Sequence, residues 1–121
     1  MRQRLDDASI FGERVFKGWQ LKKMVWVPAD NAVFDKAFPP YVELNPAGAV
    51  DILLPNVTDV DAGLMFLLSN PSAFTVTLKT AADAAFTAAI VLLTTENTLL
   101  FSTGSTTAAL GWRALGTATS A

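Results

Sequence analysis

Catalysis needs groups that pass protons, attack electrophiles or hold ions, and this 121-residue sequence contains neither histidine nor cysteine. That removes the usual hydrolytic triads, thiolate nucleophiles, thiolate metal sites and disulfide staples, leaving carboxylates and lysines as the only bases. Asp59 and Asp61 stand two apart in Asn56-Val57-Thr58-Asp59-Val60-Asp61-Ala62-Gly63, where their side chains could share a face and offer oxygen to a hard cation. Such a cation wants six or more oxygens, and neither a third acid nor a distal Glu follows at calcium-loop spacing, so a solvated turn is expected. Asn56-Val57-Thr58 fits a glycosylation sequon. The opening Met-Arg-Gln-Arg-Leu-Asp-Asp leads into no apolar stretch with a small-residue cleavage site, so synthesis in the cytoplasm is expected and the sequon is read as coincidence. The stretch Gly104 to Gly111 has no lysine and lacks the glycine spacing of a phosphate cradle. No catalytic residue, metal or cofactor is expected from this inventory.

Trp19 and Trp26, beside Lys17, Lys22 and Lys23, could stack bases or sugars. Tryptophans more often anchor a segment against a core or a partner while neighbouring lysines stay wet, and that is the reading adopted. The candidate partner-binding residues are accordingly Arg14, Phe16, Trp19, Lys22, Lys23, Trp26 and Phe34. Charge is uneven in the same region. Residues 1–36 hold seven basic and five acidic side chains, a balance of +2, whereas the remainder holds only Lys79 and Arg113 against six acids, a balance of −4. A net charge of −2 argues against a general nucleic-acid binder, and mixed signs usually just keep a face solvated.

Residues that bind must be positioned by elements, and 121 residues suffice for one core. A hydrophobic content of 51% with 17% charged residues is high for a small soluble monomer, which implies apolar surface facing a partner chain. The best apolar run, Ala84 to Leu93, is too short to span a bilayer. Residues 1 to about 14 are polar and mixed in charge, as in an arm that orders against a partner. Val15 to Val27 suits one or two strands broken near Gly18, and Ala29 to Pro40 reads as a long connection pinned by Phe34 and Phe38. The expected division is an arm and connecting segment, partly extended or strand, over 1–40 and a β-domain over 41–121.

From Tyr41 a short apolar or alternating run followed by turn residues recurs every 8 to 12 residues, as in sandwiches and barrels. The predicted strands are Tyr41–Leu44, Ala49–Leu54, Leu64–Ser69, Phe74–Thr80, Phe86–Leu93, Thr98–Ser102 and Gly111–Leu115, with Glu96-Asn97 among the turns and a fraying or intersubunit tail over Gly116–Ala121. Phe74-Thr75-Val76-Thr77-Leu78-Lys79 alternates cleanly, predicting a half-buried antiparallel strand. Leu64-Met65-Phe66-Leu67-Leu68 is apolar on both faces and so belongs in the middle of the structure or under a neighbouring subunit. Ala81 to Leu93 also has the composition of a helix. The expected fold class is all-β, an antiparallel β-sandwich or jelly-roll-like domain of about seven to eight strands with an extended N-terminal arm.

Four pieces of this pattern, Tyr41-Val42-Glu43-Leu44 with Val50-Asp51-Ile52-Leu53-Leu54-Pro55, Gly63 leading into Phe66-Leu67-Leu68-Ser69-Asn70, the Phe74–Lys79 strand, and Leu99-Leu100-Phe101 followed by Gly111-Trp112-Arg113-Ala114-Leu115, resemble head decoration (cement) and head-fibre proteins of tailed bacteriophages. The resemblance runs from about Tyr41 to Leu115; residues 1–40 match no pattern. It implies a structural, non-enzymatic virion protein: a small β-sandwich that forms a homotrimer on the capsid surface and cements neighbouring capsomers, with the major capsid protein as partner and neither nucleic acid nor membrane. Complementary charge on the N-terminal third would register docking. The alternative is a receptor- or carbohydrate-binding module of a phage head or tail fibre, in which Trp112 or Tyr41 would stack sugar rings.

Overall fold

β-Branched and aromatic residues alternating with polar ones, cut by Pro, Gly and Asn, leave the backbone little choice but short strands. The computed structural model describes residues 20–119, with side chains to Gly116. These form nine strands: β1 Lys23–Trp26, β2 Ala32–Val33, β3 Tyr41–Leu44, β4 Val50–Leu53, β5 Met65–Asn70, β6 Val76–Lys79, β7 Ile90–Leu92, β8 Glu96–Ser102 and β9 Trp112–Thr119. The only helical turns among the described residues are two short 3-10 segments, Val57–Asp59 and Ala108–Leu110, and neither could cross a membrane. The described residues are therefore all-β.

The strands divide between a five-stranded sheet ordered β1-β3-β5-β8-β9 and a four-stranded sheet ordered β2-β4-β6-β7. Both are mixed. β1, β3 and β5 run parallel in the first, β2, β4 and β6 run parallel in the second, and only β7, β8 and β9 join antiparallel. This corrects the expectation of purely antiparallel pairing. The reason is local: Asn45 to Ala49 does not fold β4 back on β3 but carries it to the other sheet, so β1 to β6 alternate between sheets and each from β3 to β6 lies beside the strand two before it. The chain winds through three coils, β1-β2, β3-β4 and β5-β6. Lys23 pairs with Tyr41 eighteen residues on, Ala32 with Ile52 twenty on, and both Tyr41 with Leu67 and Val50 with Val76 twenty-six on. A proline stands at each crossing out of the five-stranded sheet, Pro28, Pro46 and Pro71, where its fixed φ and missing N–H end the strand.

One buried cluster draws on both sheets: Val42, Leu44, Phe66, Leu68, Leu100 and Trp112 from the first and Val50, Ile52, Val76, Leu78, Ile90 and Leu92 from the second. Phe34 belongs to it, with Trp26 and Phe38 packed against it, so the division expected at residue 40 does not coincide with a break in packing. The connection expected over Ala29 to Pro40 contains β2.

Two further segments differ from expectation. Ala81 to Leu93 is not helical: Thr80 accepts from Asp83 N–H through its carbonyl and from Ala84 N–H through its hydroxyl, closing a turn around Asp83 at φ 63°, and only Ile90–Leu92 is strand. Glu96 and Asn97 open β8 instead of turning; the reversal falls one step earlier, at Thr95 with φ 64°. The tail expected from Gly116 continues β9 to Thr119, which pairs with Glu96 across a register shift between Asn97 and Leu99. Gly116 has φ 60° and its carbonyl accepts from Thr98 Oγ1 at 2.5 Å, so glycine permits the bulge that lets pairing resume.

Candidate interaction surface

In the five-stranded sheet, alternation turns every second residue away from the core, and the pairing registers line those residues up. One row across all five strands reads Lys23, Tyr41, Leu67, Leu99, Leu115. A second reads Met65, Phe101, Arg113, and a third Val25, Glu43, Ser69, Asn97. The centre of this outer face is thus apolar. Leu115 is 67% exposed, Val25 54% and Met65 50%, while Tyr41, Leu67, Leu99 and Phe101 are half-buried. Cross-strand neighbours on the same face suffice to explain that partial shielding. At about 4.8 Å per strand and 3.3 Å per residue, five strands by five residues give a plan area for the whole face, polar residues included, on the order of 400 Å².

Charge lies at its borders. Lys23 Nζ is 3.0 Å from Glu43 Oε1 and 5.5 Å from the Tyr41 ring centroid. The hydrogen bond that Lys23 donates to Glu43, then the Glu43 charge, hold the Lys23 ammonium above the ordinary lysine pKa. The outer face of the four-stranded sheet carries ion pairs of its own. There Lys79 Nζ bridges Asp51 at 3.0 Å and Asp83 at 3.7 Å, with Thr77 alongside on the same face. Asp51, by hydrogen bond first and charge second, raises the Lys79 pKa. That face is mixed, since exposed Val33 and Val91 share it with the ion-paired Asp51 and Lys79, whereas the row Tyr41, Leu67, Leu99, Leu115 on the five-stranded sheet is apolar across four strands.

The residues expected to bind a partner do not converge on one surface. Arg14, Phe16 and Trp19 lie outside the described residues. Lys22 and Lys23 are exposed at the β1 edge. Phe34 is a correction: at 1% exposure it is a core residue and cannot touch a partner. It sits within an edge-to-face aromatic cluster, 4.8 Å from Phe66, 4.9 Å from Phe38 and 5.8 Å from Trp26. Trp26, 5.0 Å from Phe38, is half-buried on the inward side. Aromatic anchors in a core and at an interface look alike in sequence, and here burial in the core won. Trp112 is likewise buried, its indole N–H donating to Pro55 O at 3.1 Å, so it cannot stack a sugar. Tyr41 alone of that pair reaches the surface.

Asp59 ends a 3-10 turn whose cap is Asn56, the Asn56 side chain accepting from Thr58 N–H at 3.3 Å. The carbonyl of Asp59 accepts from Lys36 Nζ at 2.8 Å, and that of Asp61 accepts from the Ser102 hydroxyl. Among the described residues, no three acids gather to hold a metal. The outward rows were legible in part: Leu64 to Leu68 read as apolar on both faces, and β5 is indeed the central strand of its sheet. What the sequence did not signal is that Tyr41, Leu99, Phe101 and Leu115 extend the same face. Comparison with protein-family models, with curated proteins and with solved structures finds no match to this chain.

Proposed function

We propose that this chain is a structural, non-enzymatic virion protein of the capsid-decorating kind, which docks on the major capsid protein through the outer face of its five-stranded sheet. The observation that carries the reading is the apolar row Tyr41, Leu67, Leu99, Leu115, continuous across four strands, with Met65 and Phe101 beside it. Interfaces keep charge out of their centres and place it at the rim, where Lys23, Glu43 and Arg113 stand. In this reading the two sheets, which share one buried cluster, are the layers of a sandwich, and the particle carries the protein as a homotrimer on its outer surface. Support also comes from the absence of His and Cys from the sequence, which leaves few routes to catalysis. Burial of Trp112 removes one of the two aromatics on which a carbohydrate-binding reading rested.

The test mixes the purified protein with undecorated phage capsids and counts bound copies by cryo-EM, after light scattering has measured its mass. Leu67→Asp and Leu99→Asp place charge in the middle of the apolar row without touching the core, so circular dichroism should report an unchanged fold. Binding is expected to weaken at least tenfold in both, about 1.4 kcal/mol or more. Capsid binding that survives both substitutions, or a native protein that ignores capsids, overturns the proposal.

A further inference from the structure

The parallel strands β2, β4 and β6 end side by side, and the segments that leave them enclose a cleft of about 540 Å³. Phe34 N–H donates to Leu53 O and Leu54 N–H to Lys79 O, which fastens each exit to the next. Val33, Leu53, Pro55 and Ala81 give the cleft an aliphatic wall. Its polar groups are Asp35, Lys36, Asn56 and Asp59, each tethered at one atom and open at others. Lys36 Nζ donates to Asp59 O at 2.8 Å, Asp35 Oδ1 accepts from Ala37 N–H at 2.8 Å, and Asn56 Oδ1 accepts from Thr58 N–H at 3.3 Å. Among the described residues no other bond engages these side chains. The remaining Lys36 protons, the Asn56 amide protons, Asp35 Oδ2 and the Asp59 carboxylate are therefore available to a ligand.

The balance of donors and acceptors selects the ligand. An anion would meet the carboxylates of Asp35 and Asp59. A cation would meet the Lys36 ammonium, with too few oxygens beside it for a hard metal ion. An apolar ligand would take water from all of these groups and return no hydrogen bond. A neutral polyhydroxyl molecule incurs none of these costs, because each hydroxyl both donates and accepts, and the C–H face of a sugar ring packs on aliphatic side chains. We propose that the cleft binds a neutral saccharide. Asp35 and Asp59 accept from its hydroxyls, Lys36 and Asn56 donate to them, and Val33, Leu53 and Pro55 lie against the ring. The site shares no residue with the outer face of the five-stranded sheet, so it is independent of the capsid contact.

Amide NMR titration of the intact chain with glucose, galactose, mannose, N-acetylglucosamine, maltose and lactose tests the proposal. At least one of these sugars is expected to shift the Val33, Lys36, Asn56 and Ala81 amides, with a Kd on the order of 1 mM, while the core amides of Leu68 and Leu100 stay in place. Lys36→Met and Asp35→Ala each remove a polar contact and should weaken binding about tenfold or more. Ala81→Phe crowds the cleft, alters none of its polar groups and should abolish the shifts. Unmoved Leu68 and Leu100 amides in each variant show that the fold persists. Absence of these shifts with every sugar overturns the proposal, as do shifts that survive Lys36→Met and Ala81→Phe. Larger shifts from inorganic phosphate, spermidine or glycine than from any sugar also overturn it, since a charged ligand would then be the occupant.

Discussion

Replacing Asn70 with Ala removes a buried side chain that ties the third coil to the strand following it. Asn70 is fully buried at the end of β5. Its Nδ2 donates to Phe74 O at 2.8 Å, Leu92 O at 3.1 Å and Leu93 O at 3.2 Å, while Oδ1 accepts from Ser72 N–H at 3.3 Å and Ser72 Oγ at 2.6 Å. Truncation takes the side-chain donor from Leu92 O, while Leu93 O keeps Glu96 N–H and Phe74 O keeps the Ser72 hydroxyl, and it leaves a small void, a loss of roughly 2–4 kcal/mol. A domain of this length has a total stability on the order of 6–18 kcal/mol, so the midpoint of thermal unfolding should fall by about 10–20 °C. Buried Trp112 and half-buried Trp26 give the fluorescence signal for a urea or thermal titration. Asn70→Asp keeps the shape and separates donor loss from packing. A carboxylate there faces three carbonyl oxygens, which raises its folded pKa above the unfolded value. Its folded form is then most stable below the unfolded pKa and loses stability as pH rises through the folded one, so the Asp variant should be nearer to wild type at pH 4 than at pH 7. An Ala variant within 1 kcal/mol of wild type, or an Asp variant indifferent to pH, would refute the argument that this network holds the corner.

Two further outcomes follow from packing and charge. A methyl at Gly111 would lie 1.8 Å from Val57 Cγ1, so Gly111→Ala forces the Val57 turn outward and should lower stability by about 1–3 kcal/mol in a chemical-denaturation curve, with Gly48→Ala, which meets nothing, as the near-neutral control. The Lys23 and Lys79 ammonium groups both have folded pKa values raised by their acid partners; the stability this contributes is present below the ordinary lysine value and lost as pH rises through the raised one. The unfolding midpoint should therefore decline in the alkaline range beyond the ordinary lysine pKa, and Lys79→Met should flatten part of that decline.

Much of the fold was legible because period-two alternation reports which side chains share a face. Tyr41–Leu44 was predicted to the residue, and Phe74 to Lys79 contained β6. Boundaries failed where a single residue in an unusual conformation moved a turn. Thr95, not Glu96-Asn97, carries the reversal before β8, and Gly116 lets β9 run on through what read as a tail. β2 was missed because two residues inside a Pro- and Asp-rich connection have no periodicity to detect. The candidate site was legible only at β5, whose run is apolar on both faces.

By itself the sequence determined the β-strand character of the chain, several of its turns, a chemistry without histidine or thiol, and an apolar surplus larger than one small core absorbs. Only the tertiary structure decided which strands pair, because alternation specifies a face and says nothing about the neighbour in the hydrogen-bonding direction. That choice produced the parallel coils, put Phe34 and Trp112 inside, and brought Tyr41, Leu67, Leu99 and Leu115, scattered over seventy-five residues of chain, into one row on the surface.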